Sequence, residues 1–314
     1  MTGAAGRWEP AYRSLHRTGE LAKRAAQARE HLRDCDLCAR YCHVDRLVTT
    51  KGAVCRTGEQ AVVHGFGPHH GEEDPLRGTR GSGTLFFSGC NLRCVFCQNW
   101  EISQKGVGRA VDPGELAAMM LDLQGQGCHN VNLVSPSHVV AQVIAAVAIA
   151  TGQDLSVPVV YNTGGYDSPE ALALLEGIVD IYMPDMKYGD TVAAHRYSHV
   201  RDYVAVNRAA VKEMHRQVGD LVLDEQGIAR RGLLVRHLVM PGGVSGTESV
   251  LRFLAEEISR DTSLNLMDQY HPCYRAGENP PLDRPLSRQE YQRALAWADK
   301  LGLHRLDTRP GRWW

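Results

Sequence analysis

Short apolar runs alternate with longer amphipathic segments over most of this 314-residue chain. From Leu85 onward, six runs have the length and the apolar content of buried β-strands. They lie at residues 85–87, 131–134, 157–161, 178–183, 233–240 and 264–267. Helix-forming segments separate these runs, and strands that alternate with helices pair in parallel through right-handed crossovers. The pattern therefore predicts an α/β fold with six parallel strands.

Capping signals mark the starts of several helices between and after these runs. Residues 112–115, Asp-Pro-Gly-Glu, combine an acidic cap, a proline in the first turn and a glutamate three residues after the cap. Residues 287–290, Ser-Arg-Gln-Glu, form a capping box near the end of the chain. Before the first run, good helix formers predict one helix from Trp8 to Arg33, and residues 56–82 are typical of a loop-rich connector.

These patterns divide the chain into three predicted parts. Residues 1–82 form an N-terminal helix and a cysteine-rich extension, residues 83–275 form the α/β domain, and residues 276–314 form a C-terminal helix that packs on it.

Charge and composition narrow the classes of partner. Lys and Arg total 35 against 36 Asp and Glu, so no net basic charge favours nucleic acid. The first twenty residues lack the apolar core of a signal peptide, and the longest apolar run, Val139 to Ala150, is too short to span a bilayer. Nine cysteines in clustered spacings indicate metal ligation in a reducing compartment. We therefore expect a cytoplasmic protein without nucleic-acid or membrane partners.

Three cysteines follow the first run in one short loop. Cys90, Cys94 and Cys97 have the spacing C-x3-C-x2-C, and thiolate-only ligation suits a [4Fe–4S] cluster. Three thiolates leave one of four irons open to a small molecule, whereas a closed structural site supplies a fourth ligand. The alternative is that these are buried cysteines or half of a zinc site.

The same stretch resembles a known superfamily. The cysteine triplet, with Phe96 before the third cysteine, resembles the signature of the radical S-adenosylmethionine (SAM) enzymes. Cys97-Gln98-Asn99 is similar to the Cys-x-Asn ending of glycyl-radical-enzyme activases. The whole stretch resembles the pyruvate formate-lyase activating enzyme-like proteins, in the branch with an N-terminal cysteine extension. The resemblance implies a partial (β/α)6 TIM-type barrel that uses SAM and a [4Fe–4S] cluster.

In barrels of this kind the active site lies at the carboxyl ends of the strands. The resemblance accordingly implies contacts with the cofactors from residues in the cysteine loop and after the later strands: Phe96, Asn99, Asn162, Asp185, Lys187, Arg236 and His271. Asp185 and Lys187 match an Asp-x-Lys motif of the activases, and the lysine is expected to pair with the SAM carboxylate. Two departures stand out. Asn162 replaces an expected aspartate, and residues 135–138, Ser-Pro-Ser-His, replace a Gly-Gly-Glu segment that meets the SAM amino group.

A second cysteine group precedes the first strand. Its members, with the spacing C-x2-C-x3-C-x12-C, are Cys35, Cys38, Cys42 and Cys55. Four thiolates can close a zinc site or ligate a second iron–sulfur cluster, and the spacing alone does not choose between them. Of the two remaining cysteines, Cys128 is predicted to be buried and Cys273 to lie near the barrel mouth. The spacing of His69 and His70 fits no metal site.

Three functions are compatible with these features. The resemblance favours a radical SAM oxidoreductase that cleaves SAM to a 5′-deoxyadenosyl radical, abstracts hydrogen and so activates a glycyl radical enzyme. It implies a low-potential electron donor, flavodoxin or ferredoxin, as a further partner. The second possibility directs the same chemistry at a small metabolite or peptide. The third is a non-catalytic, metal-stabilised binding protein.

Overall fold

A computed structural model of the chain describes residues 8–307. Residues 1–7 and 308–314, which belong to the first and last predicted parts, lie outside this range. Within it, nine strands form a mixed sheet. The strands are β1 (Ala61–His69), β2 (Ser82–Phe87), β3 (Arg109–Val111), β4 (Val131–Val134), β5 (Val159–Thr163), β6 (Ile181–Pro184), β7 (Val222–Leu223), β8 (Ala229–Leu238) and β9 (Ser263–Met267).

Six of these strands are parallel and follow the chain in the order β2-β4-β5-β6-β8-β9. They coincide with the six apolar runs, so the predicted α/β fold with six parallel strands is confirmed. Side chains alternate between two faces of each strand. Leu85, Leu133 and Tyr161 belong to the apolar core on one face, while Phe86 and Asn162 face a cavity on the other.

Helices cover the apolar face of the sheet. They are α1 (Ala11–Arg17), α2 (Glu20–Glu30), α3 (Asp74–Arg77), α4 (Pro113–Gly125), α5 (Val140–Thr151), α6 (Pro169–Leu175), α7 (Thr191–Ser198), α8 (Tyr203–Val218), α9 (Thr247–Phe253) and α10 (Arg288–Lys300). Both predicted capping boxes are present: Asp112 caps α4 and Ser287 caps α10. No helix within residues 8–307 has the length and apolar content needed to cross a membrane.

The single helix predicted from Trp8 to Arg33 is wrong. Gly19, with φ of +77°, separates α1 from α2, because a left-handed residue cannot continue a right-handed helix. The break lets α1 dock at the amino ends of the strands. There the Tyr12 hydroxyl donates to the Val157 carbonyl at 2.7 Å, and the Ala11 amide donates to the Asp180 carboxylate at 3.1 Å.

The loop-rich connector predicted for residues 56–82 is also wrong. It contains β1, which pairs antiparallel with β2, and the short helix α3, whose Leu76 is fully buried. Gly65, Gly67 and Pro68 weaken the local strand signal, but the free edge of β2 supplies the hydrogen-bond partners. The strand therefore depends on tertiary pairing that local sequence does not encode.

Candidate active site

One cavity of about 1450 Å³ opens at the carboxyl ends of the parallel strands. Its lining includes every residue predicted for the catalytic and cofactor sites: Cys90, Cys94, Cys97, Phe96, Asn99, Asn162, Asp185, Lys187, Arg236 and His271. The chain order of the strands brings these side chains together, because each predicted residue follows, lies within or ends a parallel strand.

The three-cysteine loop, residues 88–99, leaves the end of β2 through Gly89, whose φ is +84°. Hydrogen bonds hold each sulfur in place. Ser198 Oγ lies 2.9 Å from Cys94 Sγ, and Ser103 Oγ lies 3.2 Å from Cys97 Sγ. The backbone amide two residues after Cys90 donates to its sulfur at 3.4 Å. The loop is thus tied to α7 and to the helical turn at residues 101–105.

Cys90 and Cys94 lie in an environment that disfavours the ionisation of their thiols. Burial raises the pKa of Cys90 to about 12, and the neighbouring thiols add to the shift. Burial also raises the pKa of Cys94, although the Lys187 ammonium lowers it in part. All three are free cysteines. Three soft sulfur donors in one loop fit iron, whose positive charge stabilises thiolates.

The donor set fits a cluster rather than one ion. Within residues 8–307, no three His, Cys, Asp or Glu side chains surround a point closely enough to hold a single metal ion. The thiolates of a [4Fe–4S] cluster each bind a different iron and need not converge on one point.

Asp185 and Lys187 form an ion pair beside this loop, with Oδ2 and Nζ 2.5 Å apart. Burial by itself lowers the pKa of Lys187, but the Asp185 carboxylate outweighs it, so the pKa is raised and the ammonium stays charged. Tyr203 fixes the backbone here: its hydroxyl accepts from the Lys187 amide at 3.1 Å and donates to the Gly164 carbonyl at 2.8 Å. Lys187 is therefore a pre-positioned cation at the cavity wall, and Asp185 is its counter-ion.

His237, for which the sequence predicted no role, holds the backbone between Asp185 and Lys187. Its Nδ1 lies 2.6 Å from the Met186 carbonyl, which can only accept, so Nδ1 carries the proton. Its Nε2 then accepts from the Thr247 hydroxyl at 2.9 Å. Ser245 continues the chain, donating to Thr247 and accepting from the Met240 amide. The residue between Asp185 and Lys187 is thus held by a fully buried hydrogen-bond chain.

The end of β5 carries a second buried polar network. Asp167 accepts from the Tyr161 hydroxyl at 2.9 Å and from the Thr163 hydroxyl at 2.7 Å. Burial raises the pKa of this carboxyl. Ser137 lies 2.8 Å from the Thr163 hydroxyl, so its own hydroxyl is engaged within the protein. The network leaves Asn162 facing the cavity.

The segment that replaces Gly-Gly-Glu is divided between two environments. Ser135, with φ of +59°, lines the cavity. His138 lies away from it and donates from Nε2 to the Ser88 carbonyl at 2.9 Å. Burial lowers the pKa of His138 to about 4, so the ring is neutral near pH 7. Of this segment, only the serine at its start faces the ligand space.

Arg236 lines the cavity but faces two carboxylates that the sequence reasoning missed. Its guanidinium lies 3.7 Å from the Glu72 carboxylate and 3.4 Å from the Glu73 carboxylate. The Asn265 amide donates to Glu73 at 2.6 Å. Both glutamates come from the connector before α3, and no local pattern relates them to β8 or β9. Only the fold brings these groups together.

The remaining predicted residues differ in how far they are exposed. Asn99 and His271 are exposed, and the His271 ring lies 3.5 Å from the amide nitrogen of Gln98. Phe96 is buried and packs edge-on against Tyr188. Cys128 is buried, as predicted. Cys273 is partly buried, and burial, with a smaller effect from Cys97, raises its pKa. It does not line the cavity.

The N-terminal cysteine group, Cys35, Cys38, Cys42 and Cys55, lies outside the cavity but adjoins the three-cysteine loop. Burial raises the pKa of Cys38, and the other three thiols raise it further, so the four are close to one another. Arg46 donates to Cys35 Sγ at 3.4 Å. A Cβ added at Gly89 would lie 2.8 Å from the Cys55 carbonyl oxygen. The two cysteine groups are therefore in backbone contact.

Comparison with known proteins identifies the family. A model described as the Radical SAM superfamily matches residues 84–223, which include the three-cysteine loop and the Asp185–Lys187 pair. Uncharacterized protein MJ0674 of Methanocaldococcus jannaschii is 32% identical over 284 residues, covering 88% of this chain and 77% of that protein. Residues 84–223 form a radical SAM superfamily domain.

Further similarities are more distant. Uncharacterized protein MJ0808 of the same organism is 23% identical over 235 residues. The match covers 73% of this chain and 64% of that relative. A radical SAM methyltransferase from Sphaerobacter thermophilus has a TM-score of 0.45 at 15% identity, covering 70% of this chain and 64% of its own. TYW1 with a lysine-pyruvate adduct bound has a TM-score of 0.43 at 10% identity, covering 69% and 73%.

Proposed function

We propose that this protein is a radical SAM oxidoreductase of the pyruvate formate-lyase activating enzyme-like kind, with its parallel strands arranged as a partial (β/α)6 barrel. The observation that carries the proposal is the meeting of three free cysteines, one buried and two half-buried, and a charged lysine in one cavity. When bound, the [4Fe–4S] cluster supplies one electron to SAM, which yields methionine and a 5′-deoxyadenosyl radical that abstracts hydrogen.

The chain's own residues would hold and orient these groups. Cys90, Cys94 and Cys97 would ligate three irons. Lys187 would pair with the SAM carboxylate, because its ammonium is charged and fixed by Asp185 at 2.5 Å.

The amide of Asn162 would hydrogen-bond a ribose hydroxyl without adding charge. Phe96, Asn99 and His271 would contact the cofactor from the loop and the mouth. Arg236 would contact the cofactor from the cavity wall, although its guanidinium also faces Glu72 and Glu73.

The substrate follows from what can enter the cavity. Activation of a glycyl radical enzyme is supported by the Cys97-Gln98-Asn99 ending and by the Asp-x-Lys motif. A small metabolite or peptide is supported by a different observation: Glu72 and Glu73, just before α3, reach Arg236 on β8, and Glu73 also reaches Asn265 on β9. These contacts join the segment after β1 to the last parallel strands and narrow that side of the cavity, which favours a small substrate over a protein loop.

A second metal centre at the N-terminal cysteine group is part of the proposal, either an iron–sulfur cluster or zinc. Four neighbouring thiols are the donor set of both, but within residues 8–307 they do not surround one point closely enough for a single zinc ion, which favours the cluster. The contact of Cys55 with Gly89 would place this centre beside the three-cysteine loop. Iron, sulfide and zinc assays on anaerobically prepared protein distinguish the two, and about four irons per chain without zinc would exclude a second centre.

The test of the proposed chemistry is the triple alanine variant at Cys90, Cys94 and Cys97. With a low-potential donor such as flavodoxin or ferredoxin, the wild type is expected to produce 5′-deoxyadenosine and the triple variant none. Cys128→Ala removes a buried cysteine elsewhere and serves as the matched control. Undiminished SAM cleavage by the triple variant would overturn the proposal. A glycyl doublet in electron paramagnetic resonance, with candidate partner enzymes, separates activation from small-substrate chemistry.

A further inference from the structure

Two carboxylates occupy the side of the cavity next to β8 and β9. Glu73 is placed there by its backbone, because its carbonyl accepts from the Leu76 and Arg77 amides that begin α3. Its side chain makes no capping bond to the helix, although residues at this position commonly cap in that way. The carboxylate lies instead in the cavity, where Asn265 donates to Oε1 at 2.6 Å.

The second oxygen of this carboxylate has no hydrogen-bond partner. Glu73 is only 1% exposed, and Oε2 is buried without a partner among the described residues. Buried carboxylate oxygens in folded proteins are nearly always hydrogen-bonded, because water is not there to compensate. An unpaired oxygen that lines a ligand cavity therefore points to a ligand.

The guanidinium beside this carboxylate lies farther away than in a tight ion pair. Arg236 faces both Glu72 and Glu73, at 3.7 and 3.4 Å, longer than the 2.7–2.9 Å of a hydrogen-bonded ion pair. The nearby Arg77 pairs with Asp74 at 2.5 Å. Burial and then Arg236 lower the pKa of His69, so this ring is neutral near pH 7. Arg236 therefore faces both carboxylates without forming a hydrogen bond to Glu73 Oε2.

We propose that Glu72 and Glu73 form a subsite for a positively charged group of the substrate, a primary ammonium or a guanidinium. Such a group would donate to Glu73 Oε2 and place a positive charge beside the two carboxylates. The inference rests on the proposed function only in taking this cavity as the substrate site. Its volume exceeds the range of about 300–1000 Å³ typical for one small ligand, which leaves room for SAM and a substrate together.

The cation can come from a free amine or from a lysine or arginine side chain of a peptide. Two probes separate these sources: 1,5-diaminopentane, with 1,5-pentanediol as its uncharged counterpart, and the peptide acetyl-Gly-Lys-Gly-amide, with its glutamine analogue. Calorimetric titration of the iron-loaded protein in the presence of SAM is expected to detect binding of the charged compound, and not of its uncharged counterpart, in at least one of the two pairs. Binding of only the amine or only the peptide identifies the source.

Charge-removing variants that keep the side-chain shape test the residues. Glu73→Gln and Glu72→Gln are each expected to weaken binding of the charged probe at least tenfold. Glu101→Gln, at an exposed acid that pairs with Lys105 and does not line the cavity, is expected to leave it unchanged. Thermal unfolding of each variant verifies folding, and the comparison of charged and uncharged probes on the wild type requires no variant.

The outcomes separate this inference from the proposed function. Failure of every charged probe to bind, or equal binding of the uncharged members, overturns the subsite even if SAM is cleaved. Binding that Glu73→Gln leaves intact overturns the assignment to Glu73. Charged probes that bind a protein unable to form 5′-deoxyadenosine retain the subsite and refute the proposed chemistry.

Discussion

His237 should make the stability of this protein depend on pH in a defined window. Burial lowers the pKa of its ring to about 4, against the backbone contact with Met186, which raises it. In the unfolded chain the pKa is about 6.5. Between these values the unfolded state binds the proton and the folded state does not. The free energy of unfolding therefore falls as the pH drops through 6.5, and it stops falling below 4.

The magnitude follows from the two pKa values. Between pH 7.5 and 5.5 the folded ring stays neutral, so the unfolded pKa alone sets the effect. Protonation of the unfolded chain then removes about 1.3 kcal/mol of stability. Other buried groups also titrate near this range, notably His138 with a pKa of about 4 and Asp180 with a pKa of about 7. For that reason the prediction concerns the difference between the wild type and a His237 variant.

Two substitutions separate the two nitrogens of the ring. The amide of Asn is expected to reproduce the donation from Nδ1 to Met186, and the carbonyl of Gln to reproduce the acceptor at Nε2 for Thr247. Both variants lose the pH-dependent term. Gln also leaves the buried Met186 carbonyl unpaired, at a cost of about 1–3 kcal/mol. Since Met186 lies between Asp185 and Lys187, only Gln is expected to weaken SAM binding as well.

Urea unfolding at pH 5.5, 6.5 and 7.5, on protein of equal iron content, measures these differences. The stability gap between the wild type and either variant should narrow by about 1.3 kcal/mol from pH 7.5 to 5.5. A gap that does not change with pH would show that the folded ring takes up a proton as readily as the unfolded one, and would refute the neutral ring derived from the Met186 contact. Equal SAM affinity in both variants would refute the positioning role of His237.

Three further outcomes are expected. Lys187→Ala should weaken SAM binding about ten- to a hundredfold, as a charge-assisted hydrogen bond of about 1.5–3 kcal/mol is lost, whereas Lys105→Ala, at an exposed ion pair, should not; equal dissociation constants would contradict this. Gly89→Ala should destabilise the iron-loaded protein more than Gly106→Ala. Both glycines have positive φ, but only a Cβ at Gly89 would meet the Cys55 carbonyl. Equal melting temperatures of the two variants would contradict the close contact between Gly89 and Cys55. Anaerobic removal of iron by a chelator should lower the melting temperature reversibly, because metal-bound thiolates stabilise the fold; an unchanged midpoint would speak against ligation.

Local patterns in the sequence determined most of the architecture. A strand of four to six residues with an apolar face is visible in any window of that length, and so are the capping boxes at 112–115 and 287–290. The cysteine spacing is equally local, because one short loop carries all three thiols. These features require no knowledge of what lies elsewhere in space.

The antiparallel β1 and the short α3 escaped prediction for the opposite reason. Their stability comes from partners distant in sequence: β1 from the edge of β2, and α3 from burial of Leu76 beside Val160 and Ile181. Glycine and proline in the connector outweighed a weak strand signal, as local propensity does when tertiary pairing is decisive.

The site itself divides along the same line. The sequence by itself determined the chemical groups at the strand ends, since strand order follows the alternation of strands and helices and brings their carboxyl ends together. Only the tertiary structure decided which groups face each other: His237 behind Met186, Cys55 against Gly89, and Glu73 beside Arg236. Each of these contacts joins elements whose separation along the chain is unrelated to their distance in space. Their geometry depends on how the connector and the extension pack on the sheet, which no short-range pattern encodes.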